Sequence, residues 1–282
     1  MHYFRFLSQS LGALFRGDHR PIVRNYRLSS RELGRKVKVT IYRPPILPTQ
    51  NCRLLLCLDG QDLPRMDMQG ILRSHYRKYP SRPVVVVGIH AADRIREYGT
   101  AGRPDYQGRG DQSTAHQQFI IQRLLPWLEG RYQLWPAAKY RATIGFSLGG
   151  LHAFDLVWHH SNRLGSVGVF SGALWWRSAT FDEDQPDANR IVHDYVKAAT
   201  KVTRNIRVWL MAGTEDEKED RNNNGIIDAI DDTIGLQALL RAKGLKSDFR
   251  LSYHEEIDGR HEPATWGEVM PRFLDWWYQN KT

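Results

Sequence analysis

The sequence predicts an α/β fold: one mixed, mainly parallel sheet with helices on both faces. Three observations predict it. Short, continuous apolar runs recur at Leu54–Leu58, Val84–Val87 and Ala142–Phe146, as in strands buried on both faces. Stretches with apolar residues at helical spacing separate the later strands. Two segments of strict alternation precede the series, as in half-buried antiparallel strands. Strands alternating with helices imply a parallel sheet covered on both sides.

In chain order, residues 1–20 read as an N-terminal appendage, mixed apolar and basic, in the form of a short amphipathic helix. They lack a continuous apolar core followed by a small-residue cleavage site, so they do not read as a signal peptide. Asn25–Ser30 and Lys36–Tyr42 are the alternating pair, ended by Pro44, Pro45 and Pro48. The buried runs at 54–58 and 84–87 follow. Phe119, Ile120, Leu124, Trp127 and Leu128 then mark a helix over Thr114–Tyr132. After the strand Ala142–Phe146 comes a helix over Leu148–His160. Ile206–Met211 and Arg250–His254 are weaker strands. A helix over Thr233–Lys243, stopped by Gly244, lies between them. Pro263–Tyr278 reads as the last helix. No linker divides the chain, so residues 21–282 read as a single domain.

Composition narrows the function. Of the 282 residues, 41% are hydrophobic and 25% charged, which fits a globular chain with a large core. Mean hydropathy is −0.53, and no uncharged apolar run nears the roughly 18 residues of a membrane helix. No integral membrane segment is expected. Cys52 and Cys57, at odd spacing, point to opposite faces of one strand and are not expected to pair. That suits a reducing compartment, and a cytoplasmic location is expected. The net charge of +9 is uneven: residues 1–43 carry ten Lys/Arg against Asp18 and Glu32, and residues 213–232 carry eight acids against Lys218 and Arg221. Arginine outnumbers lysine 30 to 10, and no helix-turn-helix, zinc or stacking motif accompanies the charge. No nucleic-acid partner is expected.

The motif that carries chemistry is Gly145-Phe146-Ser147-Leu148-Gly149, followed by Gly150, where a strand ends and a helix begins. A serine on so tight a turn is strained and crowded. Glycines two before and two after relieve the crowding, and the hydroxyl stands clear of the sheet at a helix N-terminus. The Leu148 amide is then placed to stabilise an oxyanion. Such a nucleophile requires an acid and then a histidine downstream. The acid is sought after the strand ending at Met211, where Asp216 leads and Glu215, Glu217 and Asp220 remain open. His261 follows the strand ending at His254 and is the expected general base. His254 itself lies in the strand pattern and reads as structural. The loop Leu58-Asp59-Gly60-Gln61-Asp62 follows the first buried strand, and the Gln61 amide is the candidate second oxyanion donor.

With these residues in place, the chain resembles the esterase family of α/β-hydrolases that groups enterochelin esterase-like, feruloyl esterase-like and S-formylglutathione hydrolase-like enzymes. The resemblance covers about residues 30–280. It rests on Leu56-Cys57-Leu58-Asp59-Gly60-Gln61, Val87-Gly88-Ile89, Arg94-Ile95-Arg96-Glu97-Tyr98 and Tyr106-Gln107-Gly108-Arg109-Gly110. The Ser147 elbow, Ser171-Gly172-Ala173-Leu174-Trp175-Trp176, Gly259-Arg260-His261 and Leu274-Asp275-Trp276-Trp277 complete it. It implies the α/β-hydrolase fold, hydrolysis of carboxylic esters by a Ser/acid/His triad, and no cofactor required for catalysis. It places the acid after Gly213-Thr214, which favours Asp216. Arg260 stands where the family often has a second glycine. About 50 residues precede the first core strand, so a small or medium ester is expected rather than a large iron–siderophore.

The segment Asp220-Arg221-Asn222-Asn223-Asn224-Gly225-Ile226-Ile227-Asp228-Ala229-Ile230-Asp231 resembles an EF-hand calcium loop. Asp220, Asn222, Asn224, Asp228 and Asp231 stand at ligand positions, and Ile226 at the backbone position. Asp at position 12, two uncharged early ligands and the missing entering helix set it apart, and an Asn/Asp/Gly-rich surface turn is the other reading. A calcium ion here would be structural. Trp175, Trp176 and Trp266 are candidate pocket walls, and Arg94 and Tyr106 candidate substrate contacts, with an internal ion pair the preferred role for Arg94. The residues around Tyr98, Tyr106 and Arg109 form a long loop of the kind that is usually functional or mobile. An acyltransferase and a non-catalytic binding protein are the alternatives to a carboxylesterase. The oligomeric state is open.

Overall fold

The side chains of the first buried strand divide between two cores. Leu54, Leu56 and Leu58 enter one apolar cluster while Leu55 and Cys57 enter another. This is the period-two geometry of a strand covered on both faces, and it sets the architecture of the computed structural model, which describes residues 19–45, 51–200 and 205–279. Cys52 and Cys57 are both free thiols, one in each core.

The sheet has eight strands. They are β1 (Ile22–Ser30), β2 (Arg35–Arg43), β3 (Arg53–Leu58), β4 (Val84–Ile89), β5 (Arg141–Phe146), β6 (Ser166–Phe170), β7 (Arg207–Glu215) and β8 (Leu251–Arg260). Their order is β1-β2-β4-β3-β5-β6-β7-β8. β1 pairs antiparallel with β2, and β2 with β4; every later pairing is parallel. β5 therefore lies inside the parallel region, with β3 and β6 at its sides.

One face is covered by α1 (Met68–Lys78) and by α8 (Pro263–Tyr278), the closing helix, which packs Val269, Phe273 and Trp277 onto the sheet. The other face carries α3 (Ser113–Gln118), α4 (Leu125–Glu129), α5 (Leu148–His159), α6 (Ile191–Ala198) and α7 (Asp228–Ala242). A short α2 (Arg94–Glu97) sits in the loop after β4. The result is a three-layer α/β arrangement.

Several elements differ from expectation for physical reasons. The stretch expected as one helix over 114–132 is α3, a π-helical segment (Phe119–Leu124) and α4. Pro126 has no N–H to donate, and the Leu125 amide reaches back five residues to the Ile120 carbonyl. α7 begins five residues earlier than expected, which places Asp228 and Asp231 in its first turn, where the helix dipole favours acids. β6 is only five residues long with Gly168 at its centre, too weak an apolar run to stand out. The expected appendage over residues 1–20 falls, up to residue 18, outside the described residues. No described helix is long and apolar enough to cross a membrane.

Phe273 is fully buried, with ring contacts to Phe170, Trp209, Trp276 and Trp277. Phe273→Ala is expected to destabilise the protein by about 3–5 kcal/mol, read as a lowered midpoint in urea denaturation with an unchanged slope.

Candidate active site

Ser147 sits between β5 and α5 with φ 54° and ψ −124°. That is a region non-glycine residues rarely enter, and such strain collects at functional turns. The turn closes so tightly that a Cβ at position 145 would fall 2.0 Å from the Gly149 carbonyl oxygen. The glycine spacing is thus a steric requirement of the turn. The elbow is fastened to the end of β6: the Ser147 amide donates to the Phe170 carbonyl at 3.0 Å, and the Ala173 amide donates to the Ser147 carbonyl at 3.0 Å.

The acid and the base arrive from the two strands beyond. β7 ends at Glu215 and β8 at Arg260, so Asp216 and His261 each stand immediately past a strand. A Cβ at position 213 would lie 2.3 Å from the Gly259 carbonyl oxygen, which is why β7 and β8 can approach so closely here. His261 Nδ1 is 3.8 Å from Asp216 Oδ1, with the Asp216 side chain fully buried and that of His261 39% exposed. This is an ion-pair separation rather than a hydrogen bond. Catalytic contacts of this kind often tighten only when substrate binds.

The Asp216 carboxylate is fixed by other groups. Its Oδ2 accepts the Gly213 amide at 2.9 Å and its Oδ1 accepts the Ser171 hydroxyl at 3.0 Å. Trp266 Nε1 donates to the same Ser171 oxygen at 3.0 Å. The Trp266 ring also stacks on Phe146, with centroids 5.0 Å apart, and meets the His261 ring edge-on at 5.4 Å. Trp266 therefore links the residue before the serine, the base and the group that holds the acid. Burial raises the Asp216 pKa, opposed by the Gly213 amide, the Ser171 hydroxyl and His261. Burial lowers the His261 pKa; Asp216 works against this and Arg94 adds to it.

The backbone amides of Leu148, first in α5, and of Gln61 have no hydrogen-bond acceptor among the described residues. The Gly60 amide beside Gln61 is bound to the Ile89 carbonyl at 2.8 Å. Asp59 is 1% exposed and left-handed at φ 55°. Its amide donates to the Tyr98 hydroxyl at 3.0 Å. Its carboxylate takes a bidentate pair from Arg94, at 2.7 and 3.0 Å. Burial raises the Asp59 pKa against the opposing bonds and charge of Arg94. Arg94 is thus held in the internal ion pair, within electrostatic reach of His261.

The other expected site residues fall in different places. Trp175 and Tyr106 are 41% and 42% exposed, and the Tyr106 amide donates to the Arg177 carbonyl at 3.1 Å, so the two aromatics lie on neighbouring segments. Trp176 is 1% exposed, with Arg109 over its ring at 4.9 Å. His254 pairs with Glu256 at 2.6 Å, away from the elbow. Glu217 is pushed up to about 7 by burial, Glu215 pairs in register with Arg260, and neither meets His261. Beside Trp175, Arg177, Phe181, Glu183, Glu219 and Asp220 border an open groove of about 810 Å³.

The candidate calcium residues share one loop but are wired internally. Asp220 accepts the amides of Asn224 and Gly225, and Asn224 accepts that of Ile226. Asn222 donates to Asp231 at 3.0 Å. Arg221 brings its guanidinium against Asp228, Asp231 and Asp232. Among the described residues no three His, Cys, Asp or Glu side chains converge as a metal site.

Ser171, which holds the acid, has no role in the sequence reading, although it stands at φ 47° directly after a parallel strand, as Ser147 does. Nor does the sequence reveal Trp266 as the bridge between elbow and base, since its indole partner lies 95 positions away.

The strained serine at the carboxyl end of a central parallel strand, with a buried acid and a half-exposed histidine past the next strands, defines the class: an α/β-hydrolase-type fold. Comparison with known proteins agrees. Residues 30–276 match the family described as "Putative esterase", and the chain belongs to it. It is 22% identical over 252 residues to the uncharacterized protein YjcH of Bacillus subtilis (strain 168), covering 88% of this chain and 94% of that one. Its fold is similar to that of the enterobactin esterase FES from Shigella flexneri, solved in the presence of enterobactin. The TM-score is 0.72 at 20% identity, over 92% of this chain and 60% of that one. The chain thus spans well under two thirds of that protein. A ferulic acid esterase is similar at TM-score 0.69 and 16% identity, over 92% of this chain and 98% of that one.

A general base must be neutral, and the His261 pKa lies below the ordinary imidazole value of 6.5. Activity should therefore persist below that pH. Arg94→Gln removes a positive charge that lowers the His261 pKa, and so raises it. The acidic limb of the pH profile of kcat/KM should move to higher pH. A limb that stays in place would show that Arg94 does not act on the base.

Proposed function

We propose that this protein is a serine carboxylesterase acting on small or medium esters through an acyl-enzyme. The observation that carries the reading is Ser147 held in the strained elbow, with His261 and Asp216 delivered to the same edge by β8 and β7. In the proposed mechanism, Ser147 Oγ attacks the ester carbonyl carbon, and its proton passes to His261 Nε2. Asp216 keeps the imidazole in the tautomer that leaves Nε2 free and stabilises the cation that forms. The negative charge developing on the carbonyl oxygen is met by the amides of Leu148 and Gln61, which have no other acceptor among the described residues and need no reorganisation. Collapse breaks the ester bond, and the alcohol leaves with the proton from His261. Water then enters by the same base, adds to the acyl carbon, and releases the carboxylic acid and Ser147.

The openness of the site supports hydrolysis. The His261 side chain is 39% exposed, so water reaches the acyl-enzyme. Trp175 and Tyr106 offer an apolar rim for the acyl or alcohol part. The similar structures are an enterobactin esterase and a ferulic acid esterase, and a generic carboxylic ester is the part of that chemistry proposed for this chain.

The test is hydrolysis of p-nitrophenyl acetate and butyrate by the wild type and Ser147→Ala, with intact-mass detection of a fluorophosphonate adduct. Turnover by the wild type, its loss by at least about 10³-fold in the variant, and one adduct on Ser147 are expected. Absence of both turnover and adduct in the wild type would refute the reading.

No step of this mechanism uses a metal. Calcium at the 220–231 loop is proposed in a structural role, in competition with Arg221. Chelation by EDTA should leave turnover unchanged and lower Tm, with calcium restoring it. An unchanged Tm would remove the ion from this loop.

A further inference from the structure

A second recess lies at the opposite end of the sheet, where the parallel strands begin; the elbow stands where they end. Asn51, Arg53, Arg82, Trp135, Tyr140 and Tyr278 line a volume of about 240 Å³. Arg53, the first residue of β3, is 9% exposed. Its Nη1 donates to the Trp277 carbonyl, and among the described residues no acceptor meets its Nε or Nη2. The guanidinium carbon lies 4.1 Å from the ring centre of Tyr278 and 5.5 Å from that of Tyr140. Arg207 is buried alongside and donates to the same Trp277 carbonyl at 3.0 Å and to the Trp276 carbonyl at 2.7 Å. Arg82 lies over Tyr79 at 4.3 Å and reaches Tyr278 at 5.7 Å.

Arg53 and Arg82 thus share one aromatic enclosure, with Arg207 behind Arg53 over Phe249 and Trp276, and among the described residues none of the three forms an ion pair. The carboxylate of Asp275 acts instead on His75 and Lys78. Buried charges are normally paired. Carbonyls and ring faces satisfy donors and polarise toward a cation, but they carry no net charge. The cost is visible in Arg207, pushed down to about 10 by burial and by Arg53. An anion in the recess would reach the unmet edge of Arg53 and the head of Arg82 together. Trp135 and Tyr140, tilted at 32° with ring centres 4.9 Å apart, add a flat apolar wall.

We infer that this recess is a binding site for a small aryl carboxylate, its charge on Arg53 and Arg82 and its ring against Trp135 and Tyr140. The arginines fit bidentate carboxylate recognition, and the aromatic lining favours a ligand with a flat body over a bare inorganic anion. None of the lining residues belongs to the esterase site, so the inference stands apart from the proposed activity.

The experiment is calorimetric titration of the full-length protein with benzoate, with Tm measured in benzoate and in sodium chloride at equal ionic strength. Inorganic phosphate is the charge-only probe and benzyl alcohol the ring-only probe. Saturable binding of one benzoate is expected, with a Tm rise beyond that in chloride. Phosphate should bind more weakly and benzyl alcohol not at all. Arg82→Gln, chosen because its guanidinium is less buried than that of Arg53, should weaken benzoate at least tenfold, while Trp175→Ala leaves it unchanged. Equal affinity in Arg82→Gln, phosphate binding as tightly as benzoate, or loss of binding in Trp175→Ala, which would place benzoate in the groove beside Trp175, would each overturn the inference.

Discussion

The backbone at Ser147 constrains everything around it. A non-glycine residue at φ 54° and ψ −124° is not favourable on its own account, and it persists because the surroundings leave no other path. Gly145 and Gly149 permit the turn to close, β5 is gripped between β3 and β6, and the end of β6 binds the serine from both sides through the Phe170 carbonyl and the Ala173 amide. The strain is thus held by the most buried part of the sheet. Loops on the same edge can then vary without disturbing the hydroxyl.

The charges around the elbow follow a common plan. Two carboxylates, Asp59 and Asp216, are almost fully buried on either side of the serine, and each is held by short bonds to nearby groups. Asp59 is paired with a bidentate arginine and anchors the loop that carries Gln61. Asp216 receives only neutral donors and keeps its charge available for an imidazolium. That asymmetry suits the proposed division of labour, with Asp59 structural and Asp216 assisting a proton transfer. Arg94 links the halves, since it pairs with the first and opposes protonation of the base beside the second.

Local rules expose part of this in the sequence. The apolar runs at 54–58, 84–87 and 142–146 announce buried parallel strands because alternate residues must satisfy two cores at once. The spacing of Gly145, Ser147 and Gly149 announces the elbow because the turn excludes every side chain from the flanking positions. β6 escapes notice because five residues around a glycine carry almost no pattern. The break in the helix over 113–129 depends on one missing donor at Pro126, which an apolar periodicity does not register. Ser171 and Trp266 were hidden for a different reason: their roles lie in contacts 45 and 95 residues away in sequence, which no local pattern encodes. The Asp220–Asp231 loop shows the converse, a pattern that fits a calcium site while an unremarked neighbour, Arg221, meets its carboxylates.

In the proposed mechanism the elbow, the two amides and His261 form one reaction centre. A crystal structure of the protein phosphonylated at Ser147 tests it most directly, because the adduct has the shape and charge of the tetrahedral intermediate. The account predicts one phosphoryl oxygen within about 3 Å of both the Leu148 and Gln61 amides, with the His261 ring turned toward Oγ and its Nδ1 drawn into hydrogen-bonding range of Asp216. An adduct whose oxygen points away from those amides, or a His261 still at its present distance from Asp216 with no approach to Oγ, would contradict it.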